Sequence, residues 1–258
     1  MKKIFDKFFW VLNLQLGLNF RRTWCSIKGV PRYIADWAKF RQQYQGAMAF
    51  RPCLHDWHEE GGATTDEYFW QDLHVARKIY LASPQRHVDI GSRVDGFVAH
   101  LATFRDVQVF DIRPLSTLIP GVEFRQADLT RLSEPYFDYC DSLSSLHALE
   151  HFGLGRYGDP VDPQGYKTGL ANMARMLKSG GVFYLAVPIG RECVEFNAHR
   201  VFEPRALVQL AASSCLALRD FAWVESGRTL HQSDDPTQEL VRLARLDYAL
   251  GIFTFVKQ

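Results

Sequence analysis

The chain has no charge excess of either sign: 30 Lys and Arg stand against 29 Asp and Glu, a formal net charge of +1. Nucleic-acid binding needs a strongly basic face, so the bulk charge indicates no such partner. Cysteine is scarce and scattered. Cys25, Cys53, Cys140, Cys193 and Cys215 form neither a CxxC pair nor a regular framework, which favours a reduced, cytoplasmic protein over a disulfide scaffold. No repeat or low-complexity stretch appears. The apolar run from Phe8 to Phe20 is broken by Asn13, Gln15, Gly17 and Asn19, and no small-residue cleavage site follows it. It is too short and too polar to span a bilayer and lacks the ending of a signal peptide. A complete GxGxxG is also missing, which weighs against a dinucleotide or nucleotide-sugar enzyme.

What is present is ordinary globular composition, with 258 residues, 47% hydrophobic and 23% charged, enough to bury one large core. Nothing in the sequence sets an oligomeric state. Ile4, Phe5, Phe8, Phe9, Val11 and Leu12 recur at helical spacing, and Leu12 to Phe20 then alternates as an extended segment would. With Lys2, Lys3, Lys7, Arg21 and Arg22 around it, the stretch 1–22 suits the surface of an anionic membrane at its cytoplasmic side. The alternative is an element packed on the domain or on a partner subunit. Residues 1–65 are rich in aromatics and Arg/Lys without strand patterning, and read as a helical and irregular extension. Residues 66–258 form the main domain.

Within that domain the texture alternates. A helix is expected from an N-cap at Thr65 to about Leu81, with Phe69, Leu73, Ala76 and Tyr80 on one side and Ser83-Pro84 ending it. Short apolar runs follow at 87–90, 107–110, 122–124, 139–143 and 182–187, and β-runs at 221–224 and 251–256 close the chain. Helical patterns separate them, near Phe97 to Phe104, Tyr166 to Leu177, after Pro204, and Thr237 to Leu246. Strands alternating with helices specify a doubly wound, mostly parallel α/β sheet. Such sheets bind ligands at the carboxyl ends of their strands.

Three carboxylates fall at those ends. The first strand leads into Asp89-Ile-Gly91-Ser-Arg93-Val-Asp-Gly96, a strand, glycine turn and helix start whose free N–H groups face a ligand. Asp89 stands where a carboxylate meets a ligand's amino group. Asp111 ends the second strand, where an acidic residue accepts from ribose hydroxyls. Asp128 follows the third, where it suits an adenine amino group. Each has a plainer alternative as a turn or helix-capping aspartate.

The order DxG, strand-Asp, Ala127-Asp128 and Leu177-Lys-Ser-Gly-Gly181 before an apolar strand resembles the class I S-adenosylmethionine-dependent methyltransferase superfamily. More narrowly, HVDIGSRVDGF, FDIRPL, SLHALEHFGLGRYGDPVDPQG and VPIGRECVEFNAHRVF resemble a methyltransferase-like subfamily of unassigned function associated with bacterial surface-polysaccharide genes. The resemblance implies a Rossmann-like sheet of seven strands closed by an antiparallel hairpin. It implies S-adenosylmethionine as cofactor and S-adenosylhomocysteine as product. Asp89, Gly91 and Gly96 would lie at the cofactor's amino-acid end, Asp111 at the ribose, Asp128 and Leu129 at the adenine. The family's glycine-rich turn is replaced at Arg93 and Asp95. Arg93 either pairs with the cofactor's carboxylate or marks a scaffold that no longer binds it.

After the fourth strand, His147-Ala-Leu-Glu150-His151 puts three polar side chains on one face if the stretch turns helically. Methylating a hydroxyl requires removal of its proton, which a histidine of near-neutral pKa can do. The alternatives are a brace for the loop, or a metal site as in relatives with Glu-x-x-Glu-His. His-x-x-Glu-His also matches an inverted zinc-protease signature, but a strand-to-loop setting is wrong for it, and no metal is expected. His199 matches a position that faces the same pocket. The turn-rich stretch 153–163 offers Arg156, Tyr157, Asp159 and Asp162 to a hydroxyl-rich or anionic acceptor, or forms a rigid surface loop. The cluster from His55 to Glu60 also looks metal-like, but in the irregular N-terminal part it reads as a solvated polar patch. The expected activity is O-methylation of a small-molecule or glycan acceptor in polysaccharide biosynthesis, with His147, Glu150, His151 and His199 on the acceptor side. The competing expectation is a catalytically degenerate scaffold at the membrane surface.

Overall fold

The computed structural model describes residues 12–13, 16–59, 61–62, 64, 66–225, 229–233 and 235–258. The chain divides into two compact units, Met1–Ala63 and Thr64–Gln258.

Among the described residues of the first unit, the long helix is α1 (Phe20–Gln43), whose Asn19 cap accepts from the Arg22 amide. The expected extended alternation from Leu12 to Phe20 is not what forms. Leu12 and Asn13 are helical, Gly17 and Leu18 bond back to their carbonyls, and Phe20 already belongs to α1. The rest of the 1–12 helical pattern lies outside the described residues.

In the second unit α2 (Glu67–Ala82) is capped by Asp66, whose side chain accepts from the Tyr68 amide. Thr65, the expected cap, lies outside the described residues. The helix ends at Ser83, which takes the left-handed conformation at φ 43°. Then come β1 (His87–Ile90), a wide helical turn Val94–Val98 continuing as α3 (Ala99–Ala102), β2 (Val107–Asp111), β3 (Val122–Gln126) and β4 (Cys140–Leu146). They are followed by α4 (Gly165–Met176), β5 (Leu177–Ile189), the hairpin β6 (Cys193–Glu195) and β7 (His199–Val201), and α5 (Pro204–Ser213). The chain ends with β8 (Leu216–Val224), β9 (Leu230–Ser233), α6 (Pro236–Leu243) and β10 (Ala249–Lys257).

The sheet has eight strands in the order β3-β2-β1-β4-β5-β10-β8-β9, where seven were expected. The additional strand is β9, which pairs antiparallel with the outer edge of β8. β1 to β5 run parallel, and β10 inserts antiparallel between β5 and β8. Leu177-Lys-Ser-Gly-Gly181 does not simply stop a helix. It begins β5, and the ladder shifts register between Cys140 and Ser142 to absorb it.

Both faces of the sheet are buried, so the strands alternate between two cores rather than between core and water. Along β5, Phe183, Leu185 and Val187 join Leu170, Met173 and Leu207 of α4 and α5; Tyr184 and Ala186 join Val75, Ile79 and Leu101 of α2 and α3. Phe183 and Phe253 are fully buried, and removing such side chains from water stabilises by about 1.5–3 kcal/mol each. Strand order reverses between β1 and β4, the switch point at which open α/β sheets bind ligands.

Candidate functional site

At the carboxyl end of β1, Gly91 turns the chain at φ +70°, and its amide bonds to the Phe110 carbonyl at 2.8 Å. A side chain there would meet the Ala148 Cβ at 2.9 Å, so only glycine fits between this turn and the segment leaving β4. Asp89 is fully buried. Its Oδ1 accepts from Ser92 Oγ and Ser144 Oγ, both at 2.6 Å, and its Oδ2 from the Ser92 amide at 3.1 Å. The network continues through His87, whose Nε2 lies 3.0 Å from Ser144 Oγ and whose Nδ1 lies 2.8 Å from Ser142 Oγ. Burial holds His87 neutral, with its pKa near 3. Burial also pushes the Asp89 carboxyl up to about 7, against the hydrogen bonds from Ser144 and Ser92. Asp89 thus ties β1 to β4 and fixes the turn, with its oxygens already engaged.

The other strand-end carboxylates are also engaged. Both Asp111 oxygens accept from Arg113, Oδ1 from the amide and Nε at 2.8 and 3.0 Å, and Oδ2 from the guanidinium at 2.5 Å. Asp128 caps the short turn Leu129–Arg131, accepting from the Thr130 amide and hydroxyl at 2.9 and 2.7 Å. Leu129 is packed into the core, and its carbonyl accepts from Asn172. Arg93 is half exposed and grips both oxygens of Asp95, with its guanidinium 5.1 Å from the Tyr68 ring. Gly96 leaves room for Asp72, whose Oδ2 stands 2.7 Å from where a Cβ would be. Burial lifts the Asp72 carboxyl to about 6.

Across the switch point, His147 leaves β4 in the left-handed conformation at φ 53°. A bulky residue in that region costs on the order of 1–3 kcal/mol. Its amide still bonds to the Ala186 carbonyl at 2.8 Å, which holds the backbone there. The following turn Leu149–His151 brings Glu150 Oε1 within 2.9 Å of His147 Nδ1 and 3.8 Å of His151 Nε2. Glu150 is 1% exposed. Burial opposes its charge, but the His147 hydrogen bond and the two imidazoles outweigh this and hold its pKa below the usual carboxylate value. For His147 burial again opposes the charge, and Glu150, Glu67 and Asp72 together raise its pKa. His151 goes the other way, its burial prevailing over Glu150 so that the neutral ring is favoured. Glu150 Oε2 and His151 Nδ1 have no hydrogen-bond partner among the described residues.

Residues that sequence reasoning passed over complete this cluster. Glu67, the first residue of α2, lies 3.5 Å from His147 Nε2, too far for a good hydrogen bond and close enough for an ion pair. It accepts from the Tyr248 hydroxyl at 2.6 Å. Tyr68 lies tilted against His147 with ring centroids 4.5 Å apart, and His199 meets Tyr248 edge-on at 6.1 Å. Arg200, 5% exposed, donates to the Glu150 and Phe152 carbonyls and locks the turn from below. Tyr157 links the two halves, set edge-on to His151 at 5.3 Å and lying 4.6 Å from the Arg113 guanidinium. The helical ends at α2 were a weak signal for Glu67 and Tyr68; nothing in the sequence pointed to Tyr248.

In the loop 153–163, Asp159 accepts from the amides of Gly153, Gly155 and Tyr157, and Asp162 from that of Gln164. These carboxylates hold the loop's own shape. In the first unit His55, Asp56 and Glu59 bring ligand-type atoms within 4.8 Å of one another. Arg22 Nε sits 2.9 Å from the same His55 nitrogen, a positive group where a metal would have to bind. A surface cleft of about 440 Å3 lined by Arg86, Arg105 and Glu123 opens at the amino ends of β1 to β3, away from the switch point.

Three comparisons bear on this geometry. A family model described as "Caenorhabditis protein of unknown function, DUF268" matches residues 119–237, just under half of the chain. None of the curated proteins matches in sequence. Among solved structures, the 1,6-didemethyltoxoflavin-N1-methyltransferase of Burkholderia thailandensis, with 1,6-didemethyltoxoflavin and S-adenosylhomocysteine bound, matches at TM-score 0.53 and 16% identity, over 78% of this chain and 80% of that one. The N-methyltransferase NodS of Bradyrhizobium japonicum WM9, in complex with S-adenosylhomocysteine, matches at TM-score 0.50 and 15% identity, over 78% and 91%. The [4+2]-cyclase SpnF matches at TM-score 0.53 and 17% identity, over 74% and 81%. At such identities the likeness establishes architecture alone, and a cyclase among the matches underlines that fold is not activity. The chain has the Rossmann-like α/β fold of class I methyltransferases.

Proposed function

We propose that this protein transfers a methyl group from S-adenosylmethionine to an oxygen acceptor, a sugar or other hydroxyl compound. The observation that carries the reading is the buried His147–Glu150–His151 group at the switch point of a fold shared with methyltransferases. The residues at the strand ends fit the cofactor's chemistry: a glycine turn without room for a side chain, and a carboxylate at the end of β2 for ribose hydroxyls. Asp111, the Gly91 backbone and Asp128 would hold it; Asp89 would support the turn rather than touch the ligand. When bound, S-adenosylmethionine supplies an electrophilic methyl group. His151, held neutral by burial yet with its side chain still 12% exposed, accepts the acceptor hydroxyl's proton. His147, its pKa raised by the neighbouring carboxylates and its Nδ1 bonded to Glu150, orients the pair, while Tyr248 and Glu67 close the side toward His199. Proximity and alignment supply much of the remaining rate. The surface-polysaccharide setting draws its support from the four resembling segments alone.

A second reading is a binding scaffold without catalysis, which the Arg113 guanidinium across Asp111 favours. Calorimetric titration with S-adenosylmethionine and S-adenosylhomocysteine separates the two. The methyltransferase reading expects micromolar binding by the native chain, loss in Asp111→Ala, and several-fold tighter binding in Arg113→Ala. Folded protein that binds neither ligand, with or without Arg113, leaves the scaffold.

A further inference from the structure

The helix α1 divides into three faces. Cys25, Ser26, Gly29 and Tyr33 are its half-buried side, turned to the segment 50–57. There Gly29 lies so close to the Leu54 carbonyl that a Cβ would stand 2.0 Å from its oxygen, and Tyr33 meets Phe50 edge-on. The second face carries Trp24, Ile27, Pro31, Ile34 and Ala38, spaced by three or four residues and therefore stacked along one side. Trp24, Ile27 and Ile34 are each 58% exposed. The third face, along one border of the apolar row, carries Arg21, Lys28, Arg32 and Lys39, four or seven residues apart. With Arg22 and Arg41 the helix has six basic residues, and its acidic residue is Asp36 alone, paired with Arg32.

We infer that α1 lies in the interface of an anionic lipid bilayer, its apolar face among the acyl chains and its basic flank at the headgroups. Large exposed apolar side chains bordered on one side by Arg21, Lys28 and Lys39, with Arg32 paired to Asp36 and laid over the Trp57 ring, along a helix of this length are the pattern of a monotopic interfacial helix. Lys28 already folds over Trp24, its ammonium 5.1 Å from the ring, the posture of a long cation that keeps its charge in water above an apolar surface. A second copy of the chain is the poorer occupant. A self-paired seam would set the basic flank against itself, and it would run through Pro31, which breaks the regular helix ladder. Among the described residues no helix is long and apolar enough to cross a membrane, so the contact is peripheral. It differs in place from the contact expected of residues 1–22.

The test is cosedimentation of the full chain with vesicles of phosphatidylcholine alone or mixed with phosphatidylglycerol. The expected result is binding to the anionic vesicles only, weakened at least tenfold by high salt and by Lys28→Glu/Lys39→Glu, and abolished in Ile27→Glu/Ile34→Glu. Circular dichroism and melting of each variant establish that it folds. Failure of the folded native chain to bind anionic vesicles overturns the inference. So does sedimentation showing a native dimer that Ile27→Glu/Ile34→Glu converts to monomer without any native vesicle binding. Neither result touches the cofactor titration, which reads the other unit.

Discussion

Replacing Glu150 by Gln keeps the side chain's shape and removes its charge at the centre of the buried cluster. In the native protein the carboxylate is 1% exposed and holds His147 Nδ1 at 2.9 Å. A hydrogen bond to a charged group contributes about 1.5–3 kcal/mol and a neutral one about 1 kcal/mol, so the variant loses about 0.5–2 kcal/mol. For a unit of this size that lowers the melting temperature by roughly 1–8 °C. The pH dependence is the sharper readout. Glu150's pKa lies below its usual 4.5 in the fold, so its contribution is present above that value and lost as pH falls through the folded pKa. His147's pKa lies above 6.5, so its contribution is present below that value and lost as pH rises through the folded pKa. The pair therefore stabilises most between the two. In Glu150→Gln, Glu67 at 3.5 Å and Asp72 remain against the burial of His147, and its pKa falls. Its contribution is then lost at lower pH than in the native protein. Melting curves from about pH 5 to about pH 8, with the His147 ring followed by NMR, read both effects. Native and variant curves that run parallel, or a His147 titration that does not move, would refute the electrostatic account.

Gly91→Ala places a Cβ at φ +70° and 2.9 Å from the Ala148 Cβ, and should lower the urea-derived unfolding free energy by about 2–3 kcal/mol, counting the left-handed backbone and the contact. An unchanged midpoint would mean that the turn is not held as described. Ser144→Ala removes the strongest hydrogen bond opposing the rise of Asp89, and should carry that pKa beyond about 7. Because the folded value is above the unfolded one, the stability given by the protonated carboxyl declines as pH rises, and in the variant the decline extends further into alkali. The infrared carbonyl band of a protonated carboxyl, with Asp89→Asn as blank, should strengthen near neutral pH; a weaker band contradicts the burial argument.

The parallel strands were legible because each is a short apolar run closed by turn residues, as in Val107 to Phe110 and Val182 to Val187. β9 was not, since Leu230-His-Gln-Ser has one apolar residue and forms because β8 offers it a ladder. α1 was obscured by Gly29 and Pro31, which disguise an uninterrupted helix. At the site, the alignment of Asp89, Asp111 and Asp128 with strand ends could be read from order alone. What occupies their oxygens could not, because Ser144 reaches Asp89 from 55 residues away. Likewise, the spacing of His147, Glu150 and His151 was visible, whereas Tyr248 and Glu67 meet across 181 residues. Local spacing reports which residues share a turn; only the closed sheet decides what faces them.

The eighth strand has a consequence for self-association. An open sheet ends in two rows of backbone donors and acceptors that invite another chain to pair. Here one edge is β9, four residues with His231 and Gln232 exposed, and the other is β3, five residues with Glu123, Arg125 and Gln126 exposed. Short, polar, charge-bearing borders give an approaching strand little register and no apolar stripe. Copies of this chain crowded together in solution are therefore protected from edge-to-edge aggregation, while the strands between those borders are largely buried.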